Sequence, residues 1–200
     1  MLTTTSYTKD VPIAGIIYLH DITLRRYYGS TRLNLAMFRQ LCGEEFFHSV
    51  IMATSQWDNL PNEEAGRLRE QELRKGFWKE SVEAGAKVMR IQHKPADQEA
   101  IINHLLDNYV ERLNQKLDGF DVLQIQEEIV DLGKSIPATH AGQELKYTLE
   151  ELLKLLKTSM DNTPDEKTRK EISAKQAMLK KQIDILKPSM GSRLKRVIGL

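Results

Sequence analysis

Two short apolar runs, each delivering a polar loop, constrain this chain most. Ile13–Leu19 reads I-A-G-I-I-Y-L and ends at His20-Asp21. Val50–Ala53 reads V-I-M-A and opens into the T-S-Q-W-D of Thr54–Asp58. Runs this short, rich in Ile and Val and without alternating polar positions, suit strands buried on both faces of a parallel sheet. Such a sheet presents its ligand groups on the loops at the carboxyl ends of its strands. The polar loop ending at Asp58 is therefore the first candidate for a site.

The spacing around these runs predicts an α/β layer from Ile13 to about Tyr109. Ser30 or Thr31 can cap a helix reaching about Leu41, with Leu33, Met37, Phe38 and Leu41 as its stripe and Gly43 as its stop. His48–Thr54 reads as the second strand and Glu63–Lys75 as a charged helix, with Phe77 and Trp78 as anchors behind it. Ala86–Ile91 is a third, weaker strand. Asp97 is placed to cap a helix carrying Ile101, Ile102, Leu105 and Leu106. Strand, helix, strand, helix, strand, helix implies a parallel sheet of about three strands with right-handed crossovers.

From about Val122 the pattern turns helical throughout. Val122–Leu132 carries Leu123, Gln126, Ile129 and Val130 near one face, and Gln143 to about Met160 carries Leu145, Leu149, Leu152, Leu153 and Leu156. A break at Asn162-Thr163-Pro164-Asp165, with Thr163 as cap and Pro164 at the first helical position, precedes a last helix to about Leu186. These helices suit an antiparallel hairpin or a coiled coil. The expected organisation is an α/β unit over 1–110, a helical extension over 111–186 and a basic tail over 187–200.

Composition narrows the function classes. The net charge is +1 across 200 residues, which gives no global field to attract nucleic acid, and nucleic acid is not an expected partner. No run approaches the roughly 18 apolar residues of a membrane span. The tail carries four basic residues between Lys187 and Leu200, with Leu194, Val197, Ile198 and Leu200 among them, and such a segment binds membranes only marginally, so membrane contact is not expected. Cys42 is the single cysteine, which excludes an internal disulfide and favours a reducing, cytoplasmic setting. Its place on an apolar helix end marks a core thiol. The five histidines share no ligand spacing, so no metal site is expected.

Several of these segments together carry a resemblance. G-I-I-Y-L-H-D-I, R-L-N-L-A-M-F-R-Q-L-C-G and T-S-Q-W-D, followed by L-Q-I-Q-E-E-I-V-D and A-G-Q-E-L, resemble the distal half of the domain in fungal P-loop GTPase-like "G domain-containing" proteins. That group is distantly similar to septins and to the immune-associated nucleotide-binding GTPases. The resemblance implies guanine-nucleotide binding, with GTP or GDP and Mg²⁺ as ligands. It places Asp58 at the base-specificity aspartate of N-K-x-D, Ser55 at the Asn position, Gln56 at the Lys position and Trp57 at the free position. One carboxylate accepting from N1–H and the N2 amine of guanine meets a pattern that adenine does not offer. Gln92-His93-Lys94, after the third strand, would supply the second base-contacting segment.

The phosphate half of such a site has no counterpart. No G-x-x-x-x-G-K-[ST] and no D-x-x-G occur. Phosphoryl transfer depends on the positioning and charge those motifs supply. The expectation is a partial domain, cut just ahead of the strand carrying G-I-I-Y, whose ancestral function is guanine-nucleotide binding, and which neither binds GTP or GDP with Mg²⁺ alone nor hydrolyses GTP by itself. Two alternatives stay open. One is a catalytically inactive interaction module that forms homo- or hetero-oligomers through its helical extension; the other is a non-functional gene fragment. Trp57 suits either stacking on a base or packing against Trp78 or the following helix, and Arg25 and Arg26 suit a solvated loop.

Overall fold

The structure is a computed structural model that describes residues 13–25, 29–92, 94–115 and 122–187. Its sheet has three parallel strands in the order β1 (Ile16–Asp21), β2 (Val50–Ser55), β3 (Lys87–Arg90). Ile16 pairs with Val50 and Asp21 with Ser55, while Ile51 pairs with Lys87 and Thr54 with Arg90. The fold is α/β with a C-terminal helical region, as the alternation of runs and stripes implies. Each strand is shifted by one to three residues from its expected bounds. Ile13–Gly15 precede β1, and His48–Ser49 sit in a 3-10 turn, Glu45–Ser49, that feeds β2.

The sheet is covered unequally on its two faces. Helices α1 (Gly29–Cys42) and α2 (Glu63–Lys75) lie on one face, where Leu35, Cys42 and Leu73 join Val50, Met52, Phe46, Phe47 and Trp78 in the main core. Consecutive strand order with crossovers of one hand puts both helices on the same face. A short helix α3 (Lys79–Glu83) follows. Helix α4 (Pro95–Asn114) takes the other face, where Ile101 and Leu105 pack on Ile51 and Ala53. It continues through the expected boundary at residue 110.

The helical region is joined to the same core. Leu123, Ile125 and Ala141 belong to the main cluster. Helix α5 (His140–Asp161) packs on α1 and pairs with α6 (Glu166–Ile185). Leu149 and Leu153, midway along α5, meet Leu179 and Ile183 near the end of α6 and Leu186 just after it, so the chain turns back on itself. That is an antiparallel hairpin. At its base a methyl group on Gly142 would sit 2.0 Å from the Ile136 carbonyl oxygen, which explains why no larger residue fits there.

The expected caps move, for local reasons. Ser30 and Thr31 lie inside the first turn of α1 rather than at its cap. Pro95 occupies the first position of α4, and Asp97 lies within the first turn, where its carboxylate accepts from the Gln92 amide at 3.1 Å. Thr139 caps α5, which starts at His140 and not Gln143, by accepting from the Gly142 amide at 3.0 Å. Asp165, not Thr163, caps α6, because its carboxylate accepts from both the amide and the hydroxyl of Thr168. The single helix expected over Val122–Leu132 is replaced by one α turn (Gln124–Gln126) running into a π turn (Glu127–Asp131). The wider turn carries Glu128 inward to the positive groups described below.

Candidate functional site

The loop from the carboxyl end of β2 is built around Trp57, and its direction is set by packing. Gln56 adopts φ 65°, a left-handed conformation that costs a non-glycine residue, and reverses the chain. Trp57 then turns inward and is buried. Its indole N–H is shared between the Thr54 hydroxyl at 3.0 Å and the Thr54 carbonyl at 3.2 Å. Its ring rests on α2 at Gly66, where a methyl group would lie 2.6 Å from Cζ3. The other face of the indole carries the Arg90 guanidinium, 4.1 Å from a ring centroid.

Arg90 is held in turn by Glu70. Arg90 Nη2 donates to Glu70 Oε2 at 2.7 Å, and Nε donates to both carboxylate oxygens at 3.1 Å. Glu70 is buried and also accepts from the Thr54 hydroxyl at 3.3 Å. The hydrogen bond to Glu70 pushes the guanidinium above its ordinary value, and burial opposes it more weakly. Thr54, Trp57, Glu70 and Arg90 thus form one clamp that fastens the ligand loop to α2 and β3. Of the two uses open to Trp57, packing against the next helix is the one adopted.

The remaining candidates divide sharply. Ser55 donates its hydroxyl to the His20 carbonyl at 3.2 Å and so ties the β2 loop to the β1 loop. Gln56 and Asp58 are exposed, and Asp58 sits on the 3-10 turn Trp57–Asn59 at the carboxyl end of the central strand. The chain after β3 passes beside them, since the Ile91 amide donates to the Thr54 carbonyl at 2.7 Å. His93 lies outside the described residues, as does Arg26. Ser55 through Asp58 are thereby brought to one end of the sheet, with two side chains outward and two inward.

A cavity of about 180 Å³ lies at the end of β1, lined by His20, Arg25, Arg69, Glu72, Leu73 and Phe77 among others. Arg69 donates to the carbonyls of Ile22 and Thr23 at 2.9 and 3.1 Å, which shapes its rim. Asp21 accepts from the amide and hydroxyl of Thr23 and turns the chain away from the strand. His20 is buried edge-on against Trp78, and burial pushes its pKa down while Asp21 pulls it part of the way back. None of residues 55–58 lines this cavity.

A second polar cluster escaped sequence reasoning. Buried Glu128 accepts from Lys134 Nζ at 2.8 Å and from the His140 amide at 3.0 Å, and lies 2.5 Å from His140 Nδ1. Burial raises its pKa, but the Lys134 and His140 hydrogen bonds outweigh burial and hold it below the usual value. Gly133-Lys134-Ser135 repeats the end of a phosphate-loop motif, yet residue 128, where the motif needs its first glycine, is this glutamate. The carboxylate itself occupies the position between lysine and helix start that an anion would take. Next to the cluster, a cleft of about 460 Å³ is lined by Arg39, Gln40, Glu44, Phe47, Gln124 and His140.

Among the described residues no three His, Cys, Asp or Glu side chains gather to hold a metal ion, and no helix is long and apolar enough to cross a membrane. No protein-family model, curated protein or solved structure matches the chain. What the geometry defines is an α/β layer with a clamped loop at the carboxyl end of its central strand and one outward carboxylate on that loop.

Proposed function

We propose that this chain is the base-recognising part of a guanine-nucleotide-binding α/β sheet. The observation that carries the reading is the place of Asp58, an exposed carboxylate on the turn that leaves the central strand at its carboxyl end. There it accepts from N1–H and N2 of guanine. The consecutive order β1-β2-β3, which is that of the second half of a doubly wound sheet, supports the same reading.

The residues present fit the base and not the phosphates. The indole of Trp57 is covered by Arg90, so it does not serve as a stacking platform. The lysine of Gly133-Lys134-Ser135 is already bound by Glu128. No group among the described residues is arranged to hold a triphosphate with Mg²⁺, so no hydrolytic step is assigned to this chain. Contacts to the phosphates must come from other residues.

The test uses the full chain and guanosine, adenosine and xanthosine monophosphates, titrated by NMR. Wild type is expected to prefer guanosine, with millimolar affinity. Asp58→Asn, whose amide accepts from N1–H but donates to a C2 carbonyl, is expected to transfer the preference to xanthosine. Equal response to all three nucleotides, or a guanosine preference untouched by Asp58→Asn, sinks the reading. A second reading, the interaction module, draws on half-exposed or more exposed Leu155, Met178 and Ile185 on the hairpin.

A further inference from the structure

We infer that the cavity at the carboxyl end of β1 is a binding site for a small monocarboxylate with a compact apolar body, whose charge is taken by Arg69 and Arg25. No residue of the Asp58 loop lines it, so the site is independent of the nucleotide reading.

The walls select an apolar body of limited size. Ile22 and Leu73 are buried, Phe77 is half-buried, and Leu24 stands exposed at the mouth. The volume of about 180 Å³ equals roughly six waters at about 30 Å³ each, and is comparable to apolar cavities that take up benzene. Drug-sized ligands and nucleotides occupy pockets of about 300–1,000 Å³.

Arg69 supplies the grip. It is half-buried on α2, and its Nη1 donates to the Ile22 and Thr23 carbonyls at 2.9 and 3.1 Å. Those bonds fix the guanidinium and leave the N–H groups of Nε and Nη2 to give. That edge holds a carboxylate with two parallel bonds, as the same edge of Arg90 holds Glu70 in this chain. Among the described residues neither Arg69 nor Arg25 makes an ion pair, whereas Arg67 pairs with Glu63 and Glu64, Arg90 with Glu70, and Arg39 with Glu80. A half-buried guanidinium with no carboxylate is desolvated without compensation until an anion meets it.

The remaining charges select one carboxylate over a phosphate. Arg25 and Glu72 are exposed where they line the cavity. His20 on the inner wall is neutral, since burial lowers its pKa by more than Asp21 raises it. Two arginines against one glutamate leave a single positive charge. That balance matches a monoanion and sets Glu72 against the second charge of a phosphate.

Titration of the full chain with sodium benzoate, followed by two-dimensional NMR, tests this. Shifts are expected at Ile22–Leu24 and at the Arg69 side-chain N–H, with a Kd on the order of 1 mM. Benzamide lacks the charge, acetate lacks the body and inorganic phosphate carries too much charge, so each is expected to bind at least about tenfold more weakly. So is N-acetylglycyl-valine, a peptide C-terminus whose amide units exceed the space. Arg69→Met is expected to weaken benzoate at least about tenfold, and Arg25→Gln at least about threefold with unchanged circular dichroism. Should Arg69→Met unfold, Arg25→Gln alone decides. No shift up to about 20 mM benzoate overturns the proposal. So do shifts confined to other parts of the chain, an affinity unchanged in Arg25→Gln, or equal binding of benzamide or phosphate. Tighter binding of N-acetylglycyl-valine also overturns it, and makes the ligand a protein tail.

Discussion

Removing Arg90 tests whether the clamp on the ligand loop is a structural unit. In Arg90→Met the aliphatic stem stays, but the three donations to Glu70 and the guanidinium over Trp57 are lost. Glu70, whose side chain is 7% exposed, keeps one hydroxyl contact, from Thr54 at 3.3 Å. Stranding one partner of a fully buried ion pair costs about 3–5 kcal/mol. Arg90 is 34% exposed, so the pair is partly screened and about 2 kcal/mol is the fitting figure. Loss of the indole contact adds about 1 kcal/mol. A total near 3 kcal/mol corresponds to a midpoint about 6–12 °C lower for a chain of this size. Urea unfolding followed by tryptophan fluorescence measures it. The double variant Glu70→Leu/Arg90→Met removes both charges together, and its stability is expected within about 1 kcal/mol of wild type. A loss below about 1 kcal/mol for Arg90→Met, or additive losses in the double variant, refutes the clamp.

Further outcomes follow from three single groups. Glu128 is held below the usual carboxylate range, so the folded state binds fewer protons there than the unfolded chain. Its contribution is present above the unfolded value near 4.5 and is lost as pH falls, and Glu128→Gln is expected to flatten the stability profile between about pH 5 and 3 in urea titrations. Burial pushes the Cys42 thiol up to about 12 from 9.0, so the folded protein is expected to react with a disulfide reagent only as fast as it unfolds; rapid labelling at pH 8 counts against that burial. The same shift makes stability fall with pH from about 9 to 12, since only the unfolded thiol ionises there. At Gln56 the left-handed backbone makes Gln56→Val costly by about 1–2 kcal/mol and Gln56→Gly close to neutral, as thermal melts compare directly.

The layer was legible because its strands are short apolar runs and its helices carry stripes at helical spacing. The leucines of α5 marked a helix–helix contact for the same reason, but left a hairpin and a coiled coil equally open. Cap positions were less legible: Thr163, Asp165 and Asp97 are all competent acceptors, and the backbone path chooses among them. The π turn at Glu127–Asp131 leaves no mark on a hydrophobic pattern, so the inward turn of Glu128 was hidden. Glu70 was within reach. Gly66, Glu70 and Leu73 recur at helical spacing and all are buried, so a glutamate in that inward stripe required a buried cation. Trp57 was ambiguous in sequence because both of its uses need an exposed loop start; Gly66, nine residues on, decides it by leaving room for the ring.

The polar residues of T-S-Q-W-D therefore serve the fold more than a ligand. Thr54 and Trp57 belong to the clamp, Ser55 joins two loops, and Gln56 accepts from Asn59 Nδ2 at 2.5 Å to hold the turn. Under the proposed reading, guanine recognition rests on Asp58. A charged acceptor contributes about 1.5–3 kcal/mol per hydrogen bond, and two such bonds to a base amount to about 3–6 kcal/mol. Exposure to solvent and the cost of association both subtract from that sum, so the two bonds leave binding no tighter than a Kd near 1 mM, about 4 kcal/mol. Micromolar binding needs about 4 kcal/mol more, which a phosphate cradle supplies and this loop does not. Under that reading the clamp has a use: by fixing Trp57 and the turn in advance, it removes the cost of ordering the loop, so that a base would meet the one carboxylate already in place.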